Sequence, residues 1–197
     1  IVGRPDCAYG STFYQSWRQI VAVGPLRHAL GDAMYIWGED GNGSGDAATD
    51  ASADSGATGG TGATGAEAVR RQPHMVVWGS SLGWHCFFVA LDLGVPCIGF
   101  DLLSSQVARA TSVYAELGDG RSGMGTTAPV AFVHGDALSA DYALGPNARV
   151  LWINDYAWSP VVRRRAMRKA ATELPPGGIL VCFRPLPGGG EDEEEKE

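Results

Sequence analysis

At 197 residues, with 45% hydrophobic residues and a formal net charge of −7, the chain suits one α/β domain with an ordinary core. No apolar run reaches the ~20 residues needed to span a bilayer, and an acidic chain argues against tight nucleic-acid binding by itself. Cys7, Cys86, Cys97 and Cys182 form no CxxC pair, and His28, His74, His85 and His134 keep no ligand spacing with them. The expectations are a reducing, intracellular setting, nuclear or cytoplasmic, and no metal.

Taken in order, Tyr9 to Val23 opens with a Tyr-Gly turn and continues with Phe13, Trp17, Ile20 and Val21 on one helical face. Ser11 or Thr12 is placed to cap that helix. Ala33 to Trp37 is a short apolar stub. From Glu39 to Glu67 the chain is dominated by Gly, Ala, Ser, Thr and Asp with no aromatic or large aliphatic residue. Such a composition cannot offset the entropy of ordering a chain, which predicts a disordered insertion. The expected organisation is an N-terminal helical segment over 1–38, an insertion over 39–70, a folded core over 71–186 and an acidic, disordered tail over 187–197.

Within the core, Met75 to Trp78 reads as a first strand, followed by a Gly/Ser turn and a helix from Trp84 to Leu93. Cys97 to Asp101 is a second strand, and Ser104 to Leu117 the next helix. Val130 to His134 and Arg149 to Ile153 are two more strands. Pro160 starts a helix that Pro175-Pro176-Gly177-Gly178 stops, and Ile179 to Phe183 is a fifth strand. Strands alternating with helices predict a Rossmann-like α/β fold, a mostly parallel sheet covered on both faces. Its ligand crevice belongs at the carboxyl ends of the strands. Gly79 to Gly83, Asp101, Asp136 and Asn154 to Trp158 all follow strands. A glycine turn leading into a helix suits an anionic group, and an acid closing the second strand suits ribose hydroxyls, so a nucleotide-type cofactor is expected.

VVWGSSLG, GFD, HGD, VLWINDYAW and PPGGILVCFRP stand in the order and spacing of the motifs of class I S-adenosylmethionine-dependent methyltransferases, which the chain resembles. Tyr9-Gly10-Ser11-Thr12, Asn154-Asp155-Tyr156-Ala157-Trp158 and Gly177-Gly178-Ile179-Leu180-Val181 resemble, more narrowly, the non-SET histone lysine methyltransferases of the disruptor-of-telomeric-silencing family. That resemblance implies S-adenosyl-L-methionine as cofactor and a protein lysine, in a histone for example, as methyl acceptor. Gly79, Ser81 and Gly83 would hold the methionine carboxylate, and Tyr9 and Thr12 would close over it. Asp101 would take the ribose and Asp136 the adenine amino group. Asn154 would lie beside the reactive methyl, and Tyr156 and Trp158 would wall an acceptor channel.

The pattern is not complete. Val77 stands where these enzymes usually carry an acid, Ser81 replaces the middle glycine of the turn, Ser11 replaces a glutamate, and Trp84 a polar residue. The family's last two strands are not evident after the fifth. A small-molecule or nucleic-acid amino methyltransferase, and an inactive interaction module of the same fold, stand as alternatives. Arg163, Arg164, Arg165, Arg168 and Lys169 form the basic cluster of the helix after the fourth strand, and a solvated helix face explains them more simply than a nucleic-acid patch.

Overall fold

Five short apolar runs, each bounded by glycine, proline or a polar turn, become the strands β1 (His74–Trp78), β2 (Cys97–Asp101), β3 (Val130–His134), β4 (Ala148–Ile153) and β5 (Ile179–Cys182). The structure is a computed structural model and describes residues 14–30, 63–118 and 128–184. All neighbouring strands are parallel and the sheet order is β3-β2-β1-β4-β5. Chain direction across the sheet therefore reverses between β1 and β4, which is where a doubly wound sheet opens its crevice. The Rossmann-like α/β expectation holds.

The helices are α1 (Tyr14–Val21), α2 (residues 24–30), α3 (Ala63–Arg70), α4 (Trp84–Leu93), α5 (Ser104–Gly118) and α6 (Pro160–Glu173). Alternate strand residues feed two cores. Met75, Val77, Cys97, Val130, Phe132, Val150 and Trp152 pack with Trp17, Leu26, Leu30 and the inner faces of α4 and α5. Val76, Trp78, Ile98, Phe100, Ala131, Leu151 and Ile153 pack on the other face with α3 and with Ala166 and Ala170 of α6. Both faces of the parallel sheet are thus covered, as strands apolar on both sides require.

Two elements differ from the sequence reading. Residues 63–70, expected at the end of the disordered insertion, form α3, with Ala66 and Val69 buried. The connection from β3 to β4 carries no helix, and α3 packs on β3 and β2 in its place. Two small apolar residues at i and i+3 suffice there because the sheet supplies the apolar surface. Second, α2 follows α1 after a two-residue break, and Leu26 and Leu30, one turn apart, join the first core. Tyr9, Thr12, the stub at Ala33 to Trp37, the rest of the insertion and the tail lie outside the described residues.

Among the described residues no helix is long and apolar enough to cross a membrane. Among them, too, no group of three or more His, Cys, Asp or Glu side chains gathers as a metal site. Cys86, Cys97 and Cys182 are free thiols.

Candidate active site

The carboxyl edge of the sheet is built by four segments: the turn after β1, Leu102–Leu103 after β2, the loop after β3, and Asn154–Ser159 after β4. Gly79, Asp101, Asp136 and Trp158 converge on one cleft of ≈ 390 Å³ there, walled by Phe100, Leu102, Leu103, Ala137, Leu138 and Val162. This volume falls in the range of about 300–1,000 Å³ usual for small-molecule sites, and the lining is the usual mixture of apolar walls and few polar groups.

Each carboxylate in the cleft also organises its own loop. Asp101 accepts from the Ser81 N–H at 2.7 Å and from the Leu103 N–H at 2.9 Å, joining the β1–α4 turn to the start of α5. Asp136 accepts from the Leu138 N–H at 2.9 Å, and Arg165 lies 3.4 Å from its second oxygen. A carboxylate has about four lone-pair sites, so both acids keep acceptor capacity after these bonds.

The turn after β1 behaves otherwise. Gly79 and Ser80 both donate their N–H groups to the Phe100 carbonyl, Ser81 donates to Asp101 and Gly83 to the Ser80 carbonyl. These amides hold the turn closed. Ser81 adopts φ 49°, a left-handed conformation unusual for a residue with a side chain. Gly83 neither lines the cleft nor offers its amide to it. A Cβ there would stand 2.5 Å from Phe132 Cζ and the backbone is left-handed at φ 83°, so the residue is glycine for a packed aromatic ring and for its own turn. Gly99 is vacated for the same ring and for Ser80. Gly79 does border the cleft, at φ 73°, with room for a Cβ 3.5 Å from the Asn154 Cβ.

Beyond β4, Asn154 is bonded on both ends of its amide. Its Nδ2 donates to the Gly79 carbonyl and its Oδ1 accepts from Trp152 Nε1 at 3.0 Å, bracing the turn against β4. Asp155 is fully buried, 2.7 Å from Arg163, and accepts from the Phe183 N–H at 3.0 Å. Tyr156 is 61% exposed and stands outside the cleft. Of the sequence-predicted residues, then, Gly79, Asp101, Asp136 and Trp158 line one cleft, while Ser81, Gly83, Asn154 and Tyr156 do not. Val77, at the position of the expected acid, is buried in the first core.

The sequence reading missed Leu102, Leu103, Val162 and Arg165. Two leucines directly after a strand-terminal acid, too exposed to serve the core, were the available signal. Arg165 was hidden in a basic run that the structure divides. Arg163 pairs with Asp155; Arg165 faces Asp136 and donates to the Leu138 carbonyl; Lys169 donates to the Ser139 carbonyl and to Glu173. Arg164 and Arg168 occupy exposed positions on the same helix.

Two further groups near this edge have shifted acidities. Burial lowers His85, on the first turn of α4, to about 4, so it is neutral at neutral pH. It packs on Trp152 in a tilted arrangement, with ring centroids 4.7 Å apart and planes inclined by 35°. The Cys182 thiol is raised, first by burial and then by the Asp155 carboxylate, with Arg163 partly opposing. A thiol so placed stays protonated and is a poor nucleophile.

The fold and the cleft together define a class: a doubly wound α/β domain with a cleft of small-molecule size at the carboxyl edge of its sheet. No protein-family model and no curated protein matches the chain. Similar solved structures include an RNA methyltransferase from Salinibacter ruber in complex with S-adenosyl-L-homocysteine, at 19% identity, 57% of this chain, 66% of that one and a TM-score of 0.40. The CcbJ methyltransferase from Streptomyces caelestis is similar at 21% identity, 61% and 49% of the two chains and a TM-score of 0.46. A methyltransferase from Thiobacillus denitrificans, also in complex with S-adenosyl-L-homocysteine, is similar at 25% identity, 64% and 50% coverage and a TM-score of 0.40. The chain spans about half to two-thirds of the length of these structures.

Proposed function

We propose that the chain is the cofactor-binding core of an S-adenosylmethionine-dependent methyltransferase. The observation that carries this reading is the convergence of Gly79, Asp101 and Asp136, the ends of β1, β2 and β3, on a single apolar cleft. The residues fit the adenosine half of the cofactor. Phe100, Leu102, Leu103, Ala137 and Leu138 offer apolar surface to a flat base, Asp101 retains lone pairs for ribose hydroxyls, and Asp136 for an exocyclic amine. The fit is narrower at the other end, where the amides of the turn that would receive a carboxylate are spent on Phe100, Asp101 and Ser80.

When bound, the cofactor supplies a sulfonium-bound methyl group open to in-line attack. The chain's own contribution is alignment and the exclusion of water, with no dedicated base needed for a neutral amine. Trp158 gives the cleft an aromatic wall on the β4 side, and such a ring face stabilises a cationic nitrogen by ~0.5–2 kcal/mol. That wall, with the resemblance of the Asn154–Trp158 segment to lysine methyltransferases, supports a protein amino group as acceptor, in a histone or another protein. Calorimetric titration with S-adenosylhomocysteine tests the cofactor; absence of heat at millimolar ligand overturns it. Incubation with labelled cofactor and, separately, histones, RNA and a small-molecule extract identifies the acceptor.

A second reading, an interaction module that has lost transfer, is favoured by one observation. Asn154, the residue the resemblance sets beside the methyl, commits both ends of its side chain to bracing the turn. Cofactor binding without transfer to any of the three acceptor classes would select it.

A further inference from the structure

The Asn154–Ser159 segment carries the cleft's aromatic wall, yet its backbone is held by residues that touch no part of the cleft. Arg184, two residues past the end of β5, reaches back and donates to the carbonyls of Tyr156 and, at 3.4 Å, Trp158. Its own carbonyl accepts from Arg163 Nη2 at 2.9 Å. Arg163 in turn donates through Nε to the buried Asp155, whose other oxygen accepts from the Phe183 N–H. A closed ring of charge-assisted bonds therefore runs Asp155, Arg163, Arg184, Tyr156–Trp158 and back along the chain to Asp155. It ties three elements together: the end of β4, the first turn of α6 and the end of β5.

We infer that Arg184 is a positioning residue for the site: it fixes the β4–α6 loop so that Trp158 stands as a wall of the cleft against Gly79. The geometry sets that dependence. Trp158 Cζ2 lies 3.6 Å from where a Gly79 Cβ would be, so a small rotation of the loop opens the cleft or closes it. The indole is partly exposed and packs along the edge of the second core, while its own backbone N–H reaches the Asp155 carbonyl, within the loop itself. Arginine suits the task because its planar fork reaches two carbonyls at once, which a lysine ammonium on a flexible stem does less well.

The inference concerns the same cleft and rests on the cofactor reading only for its affinity test. In the full chain, Arg184→Ala is expected to weaken S-adenosylhomocysteine binding about tenfold, the scale of one charge-assisted hydrogen bond. The same substitution made in a Trp158→Ala background is expected to weaken it by less than about twofold, because the clamp acts through Trp158. Arg184→Lys is expected to recover part of the lost affinity. Equal losses in the two backgrounds, or a lysine variant as weak as the alanine one, overturn the inference. If the unmodified chain does not bind S-adenosylhomocysteine, the cofactor reading fails and the clamp is decided by amide hydrogen exchange. Exchange at Tyr156–Trp158 about tenfold faster in Arg184→Ala, with β1 unchanged, supports the clamp. Unchanged exchange there overturns it.

Discussion

Asp136 and Asp155 both follow a strand at the carboxyl edge, both face an arginine of α6, and they do opposite things. Asp155 is fully buried, 2.7 Å from an arginine whose side chain is 14% exposed, and each of its oxygens accepts a bond, one from Arg163 and one from the Phe183 N–H. Asp136 is 43% exposed, 3.4 Å from an arginine that is itself 54% exposed, and it borders the cleft. Proximity to a site is therefore a poor guide to a carboxylate's role. Burial and spent lone pairs decide whether it holds the fold or remains open to a ligand.

The sharpest way to break that contrast is to remove each acid. Asp155→Ala should cost about 3–5 kcal/mol in urea unfolding, because it strands a mostly buried guanidinium and the Phe183 amide. Asp136→Ala should change stability by no more than about 1 kcal/mol, as a half-exposed pair allows. It should instead weaken S-adenosylhomocysteine binding. Equal stability losses would dissolve the distinction.

A buried polar group of a second kind extends the test to pH. His85 is 2% exposed and lowered to about 4, against 6.5 in the unfolded chain, so below 6.5 the unfolded state takes up a proton that the folded state refuses. Stability should fall as pH drops from about 6.5 to about 4 and level off below, by about 3 kcal/mol for this group. His74 is shifted in the same direction by burial and adds to the slope. Urea unfolding at pH 7 and pH 4.5, with and without His85→Phe, checks the sign; a variant with an undiminished slope would refute the assignment.

The two glycines of the turn sharpen the comparison further. Gly83→Ala meets the Phe132 ring and also carries the strain of a left-handed backbone, φ 83°, so it should cost about 2–5 kcal/mol. Gly79→Ala has space and suffers only from its left-handed backbone, about 1–2 kcal/mol. Thermal unfolding of the pair measures the difference. Smallest of all, Arg165→Gln should shift stability by under about 1 kcal/mol while altering ligand affinity through Asp136.

Much of the frame was legible because apolar runs with clear punctuation leave few alternatives: the bounds of α4 and β2 were read to the residue. What failed to show had weak local signals. The helix α3 is mostly Ala, Thr and Gly with a single Val, and the neighbouring sheet supplies the apolar surface that such a segment needs to be helical. Gly83 looked like a residue that lets a ligand approach, but a phenylalanine 49 positions later in the chain claims the space. Likewise, nothing within IND or HGD distinguishes an acid aimed into the core from one aimed at a cleft. That depends on where α6 docks, a fact no local window contains. That both ends of the Asn154 amide would be spent, one of them on a carbonyl 75 positions earlier in the chain, was invisible for the same reason.

One consequence follows from the row Arg165, Lys169 and Glu173 along α6. Spaced four residues apart, they hold the loop after β3 by its backbone at Leu138, Ser139 and Leu144. That loop supplies one wall of the cleft and has no helix of its own, so its order is borrowed from an element some thirty residues downstream. Undocking α6 would release that wall while the central strands stay paired. Mild denaturant should therefore extinguish ligand capture in a partly opened species that retains most of its sheet. Recognition by this protein would then report on the docking of one helix more than on the state of the sheet.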